Sequence, residues 1–289
     1  MPQTYGLELE MVGLTHSEIA AAIETVEEAT FAGSFGYHGS RRLGLRHARM
    51  DGSQNDCRWV TETDSSLSCR ITGKTAEIVS PILHGQAGLA HARRIMKAVV
   101  RAGGKVNKTC GTHVTMGVAN CSARFVRMGE AAKARVAGRI YELYDYFWDA
   151  ICSLVAPSRR NNSYCSRPNT RWISGGMKFG VGTKAHYQAN LHNMCDRGAV
   201  NLNNFRSSGI IEFRMHNGTL NGQKISNWAM LQHRIVSWAC NTAPMDFRNF
   251  EQSLDGLFEM VNVNAQLRTA LLERAAETSP VTPTQRSWA

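Results

Sequence analysis

The sequence predicts an α+β fold built on a mainly antiparallel β-sheet, and three patterns carry this prediction. Segments in which apolar and polar residues alternate, as in a half-buried strand, fall in the first and the last third of the chain. Segments with the apolar spacing of a helix are interspersed among them. The two kinds do not repeat in the equal strand–helix units of a parallel sheet. With 289 residues, 43% of them hydrophobic, the chain can bury a substantial core.

The first predicted strand covers residues 4–12. Alternation turns its apolar side chains to one face and Glu8 and Glu10 to the other. The motif Thr15-His16-Ser17-Glu18 matches a capping box, in which the Thr and Glu side chains satisfy backbone N–H groups at the start of a helix. We therefore expect a helix that continues to about Ala29.

A stretch rich in Gly, Ser and Arg follows at about residues 33–56. It has no apolar period that demands regular structure, so we expect a loop insertion. Its arginines include Arg41, Arg42, Arg46 and Arg49. Two interpretations stay open, because the loop is either a solvated excursion or a lid that closes over phosphate.

Further strands and a helix are expected next. Residues 58–63 and 76–80 alternate as strands and are separated by turn signals. Residues 86–102 carry a helical apolar stripe that ends at a Gly-Gly pair. Residues 112–118 alternate again, which places His113 on the polar face of a strand.

The middle of the chain is predicted to be helical and then irregular. Residues 123–155 have the amphipathic period of one long helix or two abutting helices. Residues 157–185 are polar and punctuated by Gly, which is typical of a functional loop insertion rather than a linker. We expect short strands at residues 186–191 and 199–203.

A strand at residues 209–219 is the strongest signal in the last third. Its apolar alternate positions should face the core, while Glu212, Arg214 and His216 line the opposite surface. Taken alone, an acid and a base two residues apart on one strand are typical of a surface ion pair. Helices are then expected at residues 225–240, 247–261 and 264–276.

The expected domain organisation is a single domain over residues 1–277, with the two loop insertions and a flexible tail at residues 278–289. The N-terminus lacks the pattern of a signal peptide, and no apolar run has the length of a membrane helix. A cytoplasmic location without a membrane partner is therefore expected. The eight cysteines are scattered singly, so we expect reduced, mostly buried thiols, with Cys165 as the candidate for a functional one.

The net charge of +10 favours an acidic partner, such as a nucleic acid, a nucleotide or an anionic substrate. Arginine supplies 25 of the 33 basic residues. Arginine suits bidentate contacts to phosphate and carboxylate, but an Arg-rich composition also follows from a GC-rich genome. The charge alone therefore does not choose among these partners.

Several predicted strands carry acids or an imidazole on their polar faces, namely Glu8, Glu10, Glu77, His113 and Glu212, the last beside Arg214. Carboxylates crowded on one face repel one another, and burying them adds the cost of removing their charges from water. A cation among them would offset this repulsion. Oxygen ligands with one imidazole suit Mg²⁺ or Mn²⁺, whereas the spacings of a thiolate or His-rich zinc site are absent. The alternative is that these acids lie on different faces and pair with arginines.

Five segments stand in a characteristic order between residues 5 and 220. They are Tyr5-Gly6-Leu7-Glu8-Leu9-Glu10, Trp59 with Asp64-Ser65-Ser66-Leu67, Ala76-Glu77-Ile78-Val79-Ser80-Pro81-Ile82-Leu83, Cys110-Gly111-Thr112-His113-Val114, and Ile211-Glu212-Phe213-Arg214 through Gly218-Thr219. Together they resemble the putative amidoligases related to glutamine synthetase and glutamate–cysteine ligase. The resemblance implies a curved antiparallel sheet, a half-barrel bowl, with ATP and divalent ions on its concave face.

The resemblance also implies a metal cluster. Glu8 and Glu10 match the ligands of the first strand, and Glu77 matches a further ligand. His113 matches the histidine near the nucleotide phosphates and the metal. Glu212 would complete the cluster.

The resemblance assigns a definite role to one nucleotide or substrate contact and a looser role to two others. Arg214 would contact the transferring phosphoryl group, while Arg167 and Asn201 lie in segments that resemble motifs around substrate or nucleotide. The chain departs from the family where a second histidine usually follows the first, because Thr115 stands there. It departs again where Asp64-Ser65-Ser66-Leu67 replaces the usual Asp-Gly-Ser-Leu.

The function implied is ATP- and Mg²⁺-dependent formation of an amide or isopeptide bond through an acyl phosphate. The substrates would be a small amine or amino acid and a carboxylate on a small molecule, peptide or macromolecule. A phosphotransferase or a deamidase of the same fold is one alternative. A non-catalytic nucleic-acid-binding protein is another alternative, which the net charge favours. A ligase whose acceptor is anionic, such as a nucleic acid, would combine catalysis with nucleic-acid binding.

Overall fold

A computed structural model describes residues 4–36, 58–160, 162–173, 177–194 and 198–279. In these ranges eight strands form one sheet. The strands are β1 (Thr4–Val12), β2 (Thr30–Phe35), β3 (Arg58–Glu62), β4 (Thr75–Val79), β5 (Leu83–His84), β6 (Gly111–Gly117), β7 (Val200–Asn201) and β8 (Ile210–Asn217).

The strand order is β2-β3-β4-β1-β6-β8-β7, and the short β5 pairs with one end of β1. All neighbours are antiparallel except β2 and β3, which are parallel. The predicted α+β class and mainly antiparallel sheet are thus confirmed. The sheet is uncurled, in contrast to the curved half-barrel that the resemblance implies. A glutamine synthetase-like fold therefore stays a prediction.

The helices lie between and after the strands. Within the described ranges they are α1 (His16–Glu24), α2 (Gly85–Arg101), α3 (Val118–Cys121), α4 (Ala123–Val126), α5 (Glu130–Tyr146), α6 (Trp148–Ser153), α7 (Pro157–Arg160), α8 (Lys184–Ala189), α9 (Phe205–Ser208), α10 (Gly222–Asn241), α11 (Leu254–Met260) and α12 (Ala265–Thr278). Short 3₁₀ helices cover Ser163–Cys165, Leu191–Met194 and Phe247–Asn249. Within the described ranges, no helix is long and apolar enough to cross a membrane.

One face of the sheet is apolar and packs against α2, α5 and α10. The odd-numbered side chains of β1, from Tyr5 to Met11, are buried in this core. Tyr144 of α5 stacks on Phe213 of β8, with ring centroids 5.7 Å apart. Because successive side chains of a strand point to opposite faces, this packing leaves the even-numbered residues of β1 on the other face.

The N-terminal elements follow their predictions with two differences. The capping box of Thr15 and Glu18 is present, but α1 ends at Glu24 rather than near residue 29. Glu28 has a φ of 64°, which a right-handed helix cannot accommodate. Residues 33–35 of the predicted loop belong to β2, where a bulge at Gly33 shifts the pairing with β3. The rest of that loop, including its arginines, lies outside the described residues, apart from residue 36.

Two predicted strands in the second half differ from the structure: the first prediction is wrong, and the second strand is shorter than predicted. Residues 186–191 were expected to be extended, yet Lys184–Ala189 is a helix because the Thr183 side chain accepts the backbone N–H of His186 at its start. Of residues 199–203, only Val200–Asn201 pairs as a strand. The side chain of Asn201 accepts the backbone N–H of Asn203, which turns the chain away from the sheet.

The other helical predictions are close to the structure. The segment at 123–155 contains two abutting helices, α5 and α6, preceded by the short α4. Within its described residues, the predicted insertion at 157–185 contains α7, the 3₁₀ helix Ser163–Cys165 and the start of α8. The helix α12 continues to Thr278, the first residue of the expected tail, and residues 280–289 lie outside the description.

A β-bulge changes the faces within β8. Val114 of β6 pairs with Phe213, whereas Thr112 pairs with His216, so β8 has one extra residue in this interval. The extra residue turns His216 toward the core, where its ring packs against Trp228 at a centroid distance of 5.2 Å. Burial lowers the pKa of His216 to about 3. The prediction that His216 lines the polar surface is therefore wrong.

Candidate active site

The register of the central strands brings the predicted acids onto one face. Glu8 of β1 is the cross-strand partner of His113 on β6, and Glu10 is the partner of Glu77 on β4. Directly paired residues share a face of the sheet. Glu77 is paired in turn with Glu62 on β3, so three carboxylates form a row across three strands. We call this surface the acidic face.

Glu212 joins the acidic face from β8. It pairs with Thr115 of β6 on one side and with Asn201 of β7 on the other. The Asn201 amide donates a hydrogen bond of 2.6 Å from Nδ2 to Glu212 Oε2. Asn201 therefore orients this carboxylate, and its assignment to the nucleotide or substrate stays a prediction.

His113 lies at the centre of the acidic face. Its Nδ1 is 3.4 Å from Glu8 Oε2 and 3.5 Å from Glu212 Oε1. Its Nε2 is 3.6 Å from Glu10 Oε1. The imidazole thus contacts carboxylates of two different strands through both ring nitrogens.

Two sets of three side chains on the acidic face place their ligand atoms within 4.8 Å of one another. The sets are Glu8, His113 and Glu212, and Glu10, Glu77 and His113. All of these residues are buried except Glu212, which is partly exposed. The five predicted metal ligands are therefore brought together in one place, with His113 common to both sets.

Besides Asn201, Arg214 and the Gly111 backbone contact these carboxylates. Arg214 Nη1 lies 2.5 Å from Glu212 Oε1, and the backbone N–H of Gly111 donates to Glu10 Oε2 at 2.5 Å. Burial alone would lower the pKa of Arg214, but the charge and hydrogen bond of Glu212, aided by Glu8 and Glu10, raise it above its ordinary value. Arg214 is thus a firmly charged guanidinium at the edge of the acidic face.

Arg167 is placed differently. Its Nε lies 2.5 Å from Asp145 Oδ1 and its Nη2 donates to the Asp145 backbone carbonyl at 2.8 Å, so it ties the segment after Ser163–Cys165 to α5. These contacts are not with the acidic face. Its assignment to the nucleotide site stays a prediction.

Cys165 does not have the surroundings of a reactive thiol. It is buried, and its Sγ donates to the Arg159 backbone carbonyl. Burial raises the pKa of the thiol, and the nearby charges of Arg159 and Arg214 offset this only in part. It is a buried small side chain that packs beside the site.

Two residues of the site were not predicted. Glu62 is 0% exposed and extends the row of carboxylates, but only the register of β3 against β4 reveals this. Arg159 is 3% exposed and lies over Gly111, beside His113. Nothing in the local sequence distinguishes Arg159 from the many other arginines.

The donor set of the acidic face determines what it can bind. Carboxylate oxygens with a single imidazole are ligands for Mg²⁺ or Mn²⁺, and cysteine thiolates are absent from the two sets found among the described residues. Buried carboxylates this close together repel one another, so a divalent cation would stabilise them strongly. The residues present fit such an ion.

Comparison with family models identifies the family of this chain. A model of the family described as putative amidoligase enzyme matches residues 1–236, a range that contains every residue discussed above as part of the acidic face. No curated protein matches the chain.

Proposed function

This chain belongs to the family of putative amidoligase enzymes, and we propose that it is an ATP- and Mg²⁺-dependent carboxylate–amine ligase. It would form an amide or isopeptide bond through an acyl-phosphate intermediate. The observation that carries this proposal is the convergence of Glu8, Glu10, Glu77, His113 and Glu212 on one face of the sheet.

Glu8, His113 and Glu212 would hold one divalent ion, and Glu10 and Glu77 would hold another next to His113. When bound, Mg²⁺ or Mn²⁺ supplies positive charge that neutralises phosphate oxygens and orients the nucleotide. Each carboxylate is fixed by its strand, so the ligand atoms would need little rearrangement on binding. Asn201 contributes by holding one oxygen of Glu212 at 2.6 Å.

Arg214 is the residue proposed to contact the transferring phosphoryl group. Its Nε donates to the Tyr164 backbone carbonyl at 3.3 Å and its Nη1 contacts Glu212, so the guanidinium is held from two sides. A planar guanidinium presents donors in a geometry that matches phosphate oxygens. Arg167 stays a candidate for a nucleotide contact.

The reaction proceeds in two displacements. A substrate carboxylate takes the γ-phosphoryl group of ATP, which releases ADP and gives an acyl phosphate. An amine then displaces phosphate and forms the amide. Neither step needs a nucleophilic side chain, because both depend on neutralising the charge of the phosphoryl group and on holding the reactants in line. An acidic, cation-binding face with arginines at its edge suits that requirement.

Product analysis tests this proposal. The purified chain is incubated with Mg²⁺, ATP and pools of amines and carboxylates, and products are identified by mass spectrometry. A ligase yields a condensed amide with one ADP and one phosphate for each bond formed. A phosphorylated substrate without condensation would indicate a phosphotransferase, and ATP-independent release of ammonia would indicate a deamidase.

Salt-sensitive nucleic-acid binding is tested separately. If the chain binds DNA or RNA equally well when Glu8, Glu10 and Glu212 are changed to Gln, and no ADP is formed, the non-catalytic alternative is favoured. Binding of nucleic acid together with ADP formation would instead point to an anionic acceptor.

A further inference from the structure

Arg159 is a buried guanidinium on the acidic face for which the proposed function has no role so far. It lies on α7, and its side chain covers Gly111 at one end of β6. A β-carbon at position 111 would lie 3.0 Å from His113 Nε2 and 3.1 Å from Arg159 Nη2. The bare backbone of Gly111 therefore allows the guanidinium to lie close to the central imidazole.

The contacts of Arg159 leave most of its donors unused. Nη2 donates to the Arg214 backbone carbonyl at 2.7 Å, within the bulged part of β8. Nε is shielded from solvent and has no hydrogen-bond partner. No carboxylate oxygen of the described residues lies within 4.0 Å of the guanidinium. A guanidinium has five N–H donors, so one contact does not satisfy it.

Arg139 is the natural comparison, since it is also a buried arginine. Its two terminal nitrogens donate to the backbone carbonyls of Ala239, Thr242 and Ala243. Its guanidinium also lies 4.2 Å from the ring centroid of Trp238. These contacts account for Arg139 as a structural residue that ties α5 to the end of α10. The Nε of Arg139 also lacks a partner, so the two arginines differ in their terminal nitrogens. Those of Arg139 donate to three carbonyls, whereas Arg159 makes a single such contact.

A buried guanidinium whose donors lack acceptors is unfavourable unless a bound group supplies those acceptors. Planar guanidinium groups bind tetrahedral oxyanions through paired N–H donors. We propose that Arg159 is the binding residue for a phosphate oxyanion at the Gly111 end of the acidic face. This oxyanion would be the γ-phosphoryl group or the released phosphate, and that identification rests on the proposed ligase function.

Binding of inorganic phosphate to the full chain tests this inference without any turnover. Isothermal titration calorimetry at constant ionic strength compares wild type with Arg159→Gln and Arg159→Lys. The matched control is Arg268→Gln, because Arg268 pairs with Asp255 on the surface between α11 and α12. Loss of a charge-assisted contact should weaken phosphate binding about tenfold or more in Arg159→Gln. Arg159→Lys should lose less, and Arg268→Gln should bind as wild type does.

Nucleotides then distinguish the source of the oxyanion. If the γ-phosphoryl group occupies the site, Arg159→Gln weakens the binding of Mg²⁺–ATP more than that of Mg²⁺–ADP. If the site instead receives phosphate after its release, both nucleotides bind as in wild type and only the affinity for inorganic phosphate falls. Phosphate binding that depends on Arg159 in a chain that binds no nucleotide would support the site and contradict the proposed function.

Three results would overturn the inference. The first is wild-type protein that binds no phosphate, and the second is a folded Arg159→Gln variant that binds it as tightly as wild type. In the second case Arg159 only positions Arg214 through its carbonyl. The third result applies if Arg159→Gln does not fold. In that case Arg159→Lys decides the question, and unchanged phosphate affinity in that variant would overturn the inference.

Discussion

Two regions of this protein bury carboxylates, and they do so in different ways. On α5, Glu142 is a single buried acid whose oxygens accept one hydrogen bond each, from the Gly180 backbone N–H at 2.6 Å and from the Tyr187 hydroxyl at 2.9 Å. On the acidic face, Glu8, Glu10 and Glu212 all lie within 3.6 Å of one imidazole, with Glu77 close by.

The difference separates a structural acid from the acids of the proposed metal site. Burial raises the pKa of Glu142 to about 7, and the donors Gly180 and Tyr187 oppose that rise only in part. Protonation is therefore a way to accommodate one isolated buried carboxyl group. Several carboxylates around one ring are better accommodated by a bound cation, which is why the acidic face indicates a metal site and the Glu142 region does not.

The largest effect is expected from Glu212→Gln. An amide cannot replace a carboxylate as a charged ligand, so Mn²⁺ affinity should fall and ADP formation should drop about 100-fold or more. Calorimetric Mn²⁺ titration and a coupled ADP assay measure the two effects. Glu130→Gln is the control, because Glu130 is an exposed residue of α5 that pairs with Lys133. Unchanged Mn²⁺ affinity in Glu212→Gln would remove Glu212 from the metal site.

Arg214→Lys should have the next largest effect. Lysine keeps the charge but loses the fork that contacts both Glu212 and the phosphoryl group, so turnover should fall about 10- to 100-fold. Mn²⁺ affinity should stay close to that of wild type, since Arg214 is not a ligand. A variant with normal turnover would show that Arg214 only forms an ion pair.

Glu142→Gln should change stability and leave Mn²⁺ binding unchanged. The carboxyl group of Glu142 titrates near pH 7 in the folded protein and near its ordinary pKa of 4.5 when unfolded. The folded state thus holds the proton more tightly, so this group's contribution to stability is present below about pH 4.5 and is lost as the pH rises to about 7.

Because Gln stays neutral, the free energy of unfolding of the variant relative to wild type should rise by about 1–3 kcal/mol between pH 5 and pH 8. Denaturant unfolding at several pH values measures this difference. A difference that does not depend on pH would contradict the assignment of Glu142 as a protonated structural acid.

Gly111→Ala is expected to have the smallest effect. The new methyl group would meet His113 Nε2 and Arg159 Nη2 at about 3 Å, so both side chains must shift slightly. We expect a loss of about 1 kcal/mol in stability and a modest weakening of Mn²⁺ binding. Gly129→Ala is the control, because a β-carbon there meets nothing within 4 Å. Equal Mn²⁺ affinity in the two variants would show that Gly111 is not needed for the site.

The sequence predicted the acidic face better than it predicted the loops around it. Alternation in β1, β6 and β8 was sufficient to place Glu8, His113 and Glu212 on polar faces, since strand periodicity is a local property. Their convergence depended on the resemblance, because pairing between strands is not visible in a single sequence. The register of β3 against β4 then added Glu62.

The errors have causes that periodicity does not detect. One extra residue in β8 moved His216 from the polar face to the core. A threonine cap turned an alternating segment near His186 into α8. Arg159 was missed because its importance comes from long-range packing over Gly111, which no local pattern encodes.

Anomalous diffraction from crystals grown with Mn²⁺ and a non-hydrolysable ATP analogue is the most direct test of the central claim. Manganese peaks are expected among Glu8, His113 and Glu212 and beside Glu10 and Glu77, with the phosphates of the analogue next to them. Crystals that contain the analogue elsewhere, or that show no manganese on the acidic face, would contradict the claim.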